Sequence, residues 1–284
     1  MLPGDIVLDK RQIQQLVNNP RFVPGIYNYC DRWCERCAFT LRCSNYALSK
    51  EHFSDAGDRD VRNERFWDKL GEVFRVTLEM LHDDAERRGL NLDAGGTSAA
   101  AESEKEIQIY ASNHECARSA RAYSEHVEQW FDAAHPLFTE EARALELKVQ
   151  LDLPGSNPPE EAARLRDAVD VIRWYQDLIP VKLERAIGSQ VEESEETDTE
   201  HPTDSDGSAK VALIGMDRSI GAWGTLLLEL PSDETSILAI LVHLQRLRRS
   251  AEEQFPAAGS FVRPGFDSTV ESAPASEDVA PEAG

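Results

Sequence analysis

Along most of its length the chain repeats apolar residues at three- and four-residue steps, and nowhere do strand-like alternating runs come between them. That periodicity confines it to an all-α fold, a multi-helix bundle. Residues 61–88 carry the stripe Phe66, Trp67, Leu70, Val73, Phe74, Leu78 and Leu81, with Gly89 placed to stop the helix. A second long helix is predicted over about 104–134 from Ile109, Tyr110, Cys116, Ala117, Ala120, Tyr123, Val127, Trp130 and Phe131, and Pro136 ends it. Thr139, followed by Glu140 and Glu141, suits the cap of a shorter helix through Val149.

Leu165, Val169, Ile172, Tyr175, Ile179, Leu183 and Ile187 define a helix over 160–187, in which Pro180 predicts a kink and Gly188 an end. Residues 208–230 are apolar or small around nearly the whole circumference, as a central buried helix requires, and Gly215, Gly221 and Gly224 offer close backbone approach. After the break at Pro231, a last stripe of Ile237, Leu241, Leu244, Leu247, Ala251 and Phe255 closes the helical part. Residues 261–266 are too apolar for a free tail and too rich in proline for a helix, so they are expected to pack on the bundle in extended form.

The expected organisation is an N-terminal segment over 1–50 packed on a bundle over 51–266, with flexible linkers at about 91–104 and 190–207. A disordered acidic tail over 267–284 follows. Charge supports those boundaries. The formal net charge is −22, but residues 190–208 hold eight acids and 267–284 hold five, with no Lys or Arg in either. The remainder, near −9, is an ordinary acidic body. It lacks the basic face that phosphate contacts demand, so no nucleic-acid partner is expected. The first dozen residues mix acids and bases with no apolar run, which argues against a secretory signal and for a cytoplasmic protein. The most apolar stretch is interrupted by Asp217, Arg218 and Glu229, so no membrane span is expected either.

Four of the five cysteines, Cys30, Cys34, Cys37 and Cys43, fall within 14 residues. In a reducing compartment such clustering points to metal before disulfides. Cys30, Cys34 and Cys37 are spaced to share one helical face, with Cys43 supplied from the next turn. Zinc favours four thiolates drawn from two separated Cys-x-x-Cys knuckles, whereas one compact run is common around a four-iron cluster, a 4Fe-4S centre. Arg32, Arg36 and Arg42 can offset thiolate charge, and Tyr27, Tyr29, Trp33, Phe39 and Tyr46 can exclude solvent.

The Cys-x3-Cys-x2-Cys spacing of Cys30, Cys34 and Cys37 resembles the motif of radical S-adenosylmethionine enzymes. Those enzymes place an aromatic residue where Arg36 stands and follow the motif with strand-helix repeats, neither of which this chain has. Cys34, Cys37 and Cys43 look like the clusters attached to some helicases and nucleases, without the nucleotide-binding loop of those families.

Other polar groups are weaker candidates. Glu79 and His82 have the Glu-x-x-His spacing of a di-iron site but only Asp132 and His135 as a second pair. His114, Cys116 and His126 lie near the stripe of the second helix. Lys210, Asp217 and Ser219 interrupt the apolar helix and form a possible buried polar site if Arg173, Asp177 or Lys182 partner them. The leading expectation is therefore a metal-binding helical protein, an iron-sulfur protein with a redox or sensing role. The alternative is an interaction scaffold for protein partners, fastened by a structural zinc, and the third is an enzyme with its polar site in the bundle core.

Overall fold

A computed structural model describes residues 8–55, 57–89, 98–195 and 203–267. Among them every regular element is helical, as the periodicity requires. These residues fall into two compact units, one formed by residues up to 89 together with 262–267, the other by residues 98–261.

The second unit is a bundle of α4 (Ser98–Asn113), α5 (Glu115–Ala133), α6 (His135–Gln150), α7 (Pro158–Glu195), α8 (Asp204–Glu229) and α9 (Glu234–Gln254). The pair α7 and α8 forms its centre, with α5 and α9 laid against it. Ile172, Tyr175, Ile179, Leu183, Met216, Trp223, Leu226, Ile237 and Leu244 are all sealed from solvent there, each worth about 1.5–3 kcal/mol of transfer free energy. By length and composition α8 could cross a membrane, the one such helix among the described residues. Its face from Val211 through Leu226 is covered by protein, the pattern of a core helix.

Several boundaries differ from expectation. The helix predicted over 104–134 breaks at His114, which takes an extended conformation and caps α5 by accepting from the Cys116 N–H at 3.3 Å. Residues 98–104, read as linker, are helical and begin α4. The next helix starts at His135 with Pro136 in its first turn, and Thr139 lies inside it, its hydroxyl donating to the His135 carbonyl at 2.9 Å. α7 runs unbroken through Pro180 and Gly188. Of Gly215, Gly221 and Gly224 on α8, only Gly215 sits under a neighbour: a Cβ there would be 2.9 Å from Tyr175 Cδ1, while Gly221 and Gly224 face open space.

The acidic linker is shorter than predicted. α7 continues to Glu195, and α8 begins at Asp204 behind a Thr203 cap. Glu193 accepts from the Ser205 N–H and hydroxyl at 3.0 and 2.6 Å, and Arg185 and Ser189 both bind Asp204. Residues 196–202 and the tail beyond 267 lie outside the described residues, as do 91–97.

The first unit contains α1 (Lys10–Val17), α2 (Ser44–His52) and α3 (Glu64–Arg88). α1 opens with a capping box, Asp9 Oδ1 accepting from the Gln12 N–H at 2.8 Å and Gln12 Oε1 from the Asp9 N–H at 3.0 Å. α3 ends at Gly89 in the left-handed conformation, as its sequence predicts. Its predicted stripe is only partly covered: Phe66, Leu70 and Val73 are half-buried and Val76 and Ala85 buried, while Trp67, Phe74, Leu78 and Leu81 are each more than half exposed. At the start of the helix Lys69 donates to the fully buried Asp58 at 2.7 Å and to the His52 carbonyl at 2.7 Å, which gives that buried carboxylate a charged partner.

Candidate metal centre

The predicted cysteine helix is absent. Asp31 Oδ1 accepts from the Trp33 N–H at 3.1 Å, a local turn that competes with helix, and Arg32 sits at φ 57° in the left-handed region. The chain then makes two single 3₁₀ turns, Cys34–Arg36 and Thr40–Arg42. The Cys37 N–H closes the first on the Cys34 carbonyl at 3.2 Å, and the Cys43 N–H closes the second on the Thr40 carbonyl at 3.3 Å. Three of the cysteines therefore sit at turn boundaries, and Cys43 also forms the N-cap of α2. The Val23 N–H donates to the Arg42 carbonyl at 2.9 Å and ties this loop to the segment leading into Cys30.

This winding still brings the four cysteines to one place. Cys30, Cys34, Cys37 and Cys43 all line one cavity of about 20 Å³, roughly one water molecule in size. Tyr27, Trp33, Phe39 and Tyr46 line it too, as expected of a shielding shell, while Tyr29 does not. Arg36 stacks over the Trp33 ring at 4.0 Å instead of turning inward. All four thiols are free and half-buried. As they stand, no three or more His, Cys, Asp or Glu among the described residues are gathered closely enough to hold a metal ion.

Two of these sulfurs receive N–H groups, and one is itself a donor. The Phe39 N–H points to Cys37 Sγ and the Tyr46 N–H to Cys43 Sγ, both at 3.4 Å, while Cys30 Sγ donates to the Tyr27 carbonyl at 3.5 Å. The first two are donors a charged sulfur would use, and the α2 N-terminus adds its dipole at Cys43. Burial, joined by Cys30, Cys43, Glu35 and Cys37, pushes the Cys34 thiol up. Without a cation, negative charge is disfavoured there; a metal ion among the sulfurs reverses that balance.

Sequence reasoning missed Phe266, which completes the cavity wall from the opposite end of the chain, edge-on to Phe39 with 4.9 Å between centroids. The apolar run at 261–266 signalled that the segment packs, but it divides: Phe261 is buried in the helical unit, and residues from Val262 onward belong with the cysteines.

The remaining candidates do not assemble. Glu79 pairs with Arg75 at 2.7 Å on the exposed face of α3, and His82 Nδ1 lies 2.8 Å from the Leu78 carbonyl; Asp132 and His135 belong to the other unit. Lys210 donates to the Phe261 and Gly259 carbonyls at 2.5 and 3.2 Å. Asp217 is more than half exposed and takes Arg248 at 2.5 Å. Ser219 is sealed beside Tyr123. Of the suggested partners, Arg173 lies over the Phe131 ring, Asp177 takes the Ser124 hydroxyl, and Lys182 is buried. Cys116 is a core thiol, raised by burial and 3.3 Å from the Ser250 hydroxyl. Ser119 and His243 meet at 3.2 Å, but His243 Nε2 also lies 2.9 Å from the Ser119 carbonyl. A carbonyl only accepts, so that nitrogen carries the proton and is no base for the hydroxyl.

No protein-family model, curated protein or solved structure matches this chain.

Proposed function

We propose that Cys30, Cys34, Cys37 and Cys43 bind a metal centre, an iron-sulfur cluster with a redox or sensing role. One observation carries the reading: four thiols from a 14-residue run line a single cavity walled by aromatic side chains. Aromatic neighbours and N–H donors to sulfur are features by which a protein tunes such a centre. The four cysteines account for all cluster ligands, which leaves no open iron and favours electron storage or sensing over substrate chemistry. Anaerobic purification followed by visible absorption and iron and sulfide analysis tests it. Brown protein with matching iron and sulfide, lost in Cys34→Ser, is the expected result; Cys34→Ser retaining full cluster content overturns it.

The small cavity, about 20 Å³, supports a second reading, a single ion in place of a cluster. In that case the centre is a structural zinc that fastens the N-terminal unit of a non-catalytic interaction protein. Colourless protein with one zinc, no sulfide and loss of N-terminal structure on chelation decides for it.

A further inference from the structure

Residues 262–267 supply a wall of the cysteine cavity and no ligand. Gly265 has φ 76°, and a Cβ on it would stand 2.9 Å from Ile26 Cδ1 and 3.1 Å from Val23 Cγ1. The backbone therefore lies directly on the loop that leads into Cys30, in a conformation and at a distance that only glycine allows. Arg263 and Asp267 clamp the turn: the Arg263 N–H and Nε donate to Oδ2 at 3.0 and 2.9 Å, and Nη2 donates to Oδ1 at 2.9 Å. This clamp delivers Phe266 to the cavity.

The seat under this segment is made of the loop that the cysteines hold. Val23, Ile26 and Phe39 receive Gly265 and Phe266, and all three lie in turns or short 3₁₀ connections. Such structure opens locally at low cost unless something cross-links it. A metal on four thiolates would cross-link it at residues 30, 34, 37 and 43, so binding free energy becomes ordering of the seat.

We infer that residues 262–267 form a strap whose docking depends on the state of the metal centre, so that loss of the metal releases the strap. The inference rests on the four-cysteine reading and adds to it how occupancy is signalled. Linkage makes the coupling reciprocal: the docked strap, through Phe266, tightens binding of the metal against a competing chelator.

The test uses the full chain, purified anaerobically, in loaded form and after chelator treatment, with metal and sulfide content measured on each sample. Hydrogen exchange over 262–267 and chymotryptic cleavage after Phe266 report the strap. The expected result is cleavage at least about tenfold faster in stripped protein, with exchange in α7 and α8 unchanged. Loaded protein is also compared with Phe266→Ala, which should bind the same amount of metal and surrender it at a several-fold lower concentration of competing chelator, while Phe266→Tyr restores the parent affinity. If loaded and stripped chains are cut equally, or Phe266→Ala holds its metal against chelator as tightly as the parent, the strap proposal fails and the metal reading stands. A chain that binds neither cluster nor zinc overturns both.

Discussion

Gly215 on α8 faces the ring of Tyr175 on α7 so closely that an added Cβ would lie 2.9 Å from Cδ1, with Ile179 Cγ1 at 3.2 Å. Both neighbours are fully buried, so neither can swing aside. Gly215→Ala should gain up to about 1 kcal/mol in helix propensity and lose about 1–3 kcal/mol to overpacking, a net destabilisation in urea titration. Gly221→Ala on the same helix meets nothing within 4 Å and should be neutral or stabilising. Equal shifts for the two variants would contradict this account of the α7 and α8 contact.

Tyr123 is fully buried, and its hydroxyl accepts from the Trp223 indole N–H at 3.2 Å. Burial pushes its ionisation up to about 12. A raised acid favours the folded state while neutral; the advantage is complete below its ordinary value of 10 and disappears as pH rises to about 12. About two pH units correspond to about 3 kcal/mol, so stability measured by denaturant should decline steeply over that window. Tyr123→Phe should flatten this alkaline limb. It should also cost about 1–2 kcal/mol at neutral pH, because the Trp223 N–H loses its acceptor.

In the N-terminal unit the sign is opposite. Asp58 is buried, and the Lys69 ammonium at 2.7 Å, helped by the Asp55 N–H and Arg65, holds its carboxyl below the ordinary 3.8. Its contribution is present above that value and is lost as pH falls through the depressed one. Acid unfolding followed by hydrogen exchange within α3 should therefore show a transition below pH 3.8 that Asp58→Asn removes while lowering stability at neutral pH. An unchanged acid profile in that variant would assign the transition to other carboxylates.

The helical unit was legible because its stripes answer to local periodicity: Tyr123, Val127 and Trp130 on α5, and Ile172, Tyr175 and Ile179 on α7, are buried as their spacing demands. α3 was read only in part by the same rule. Phe66, Leu70 and Val73 of its stripe are half-buried, but Trp67, Phe74 and Leu78 are exposed, and the buried Asp58 that takes Lys69 beside them is a tertiary partner no pattern of apolar residues records. The cysteines were recognised by type and proximity, yet their helix was not formed because the Asp31 side chain captured the Trp33 N–H first. Phe266 lay beyond reach of any local argument, since the partner that fixes it, Phe39, is more than two hundred residues away in sequence.

The acidic run before α8 was read as linker from charge alone, and its outer residues show what that reading omits. Thr203 Oγ1 accepts from the Asp206 N–H at 3.3 Å, Asp204 and Asp206 occupy the first turn, and Arg185 on α7 forks onto Asp204 at 2.8 and 2.9 Å. These acids sit at the positive end of α8, where carboxylates stabilise. Thr203→Ala should cost about 1 kcal/mol, the usual value of a lost cap. Asp204→Asn, which keeps the shape and removes the charge, should cost less and lose its effect at high salt, because Arg185 and Asp204 are both about one-third to one-half exposed. The measurement is urea stability of both variants at low and high ionic strength. A salt-independent loss for Asp204→Asn would mean that the hydrogen bonds from Ser189 and Arg185 hold the helix start, and that charge at the helix terminus contributes little.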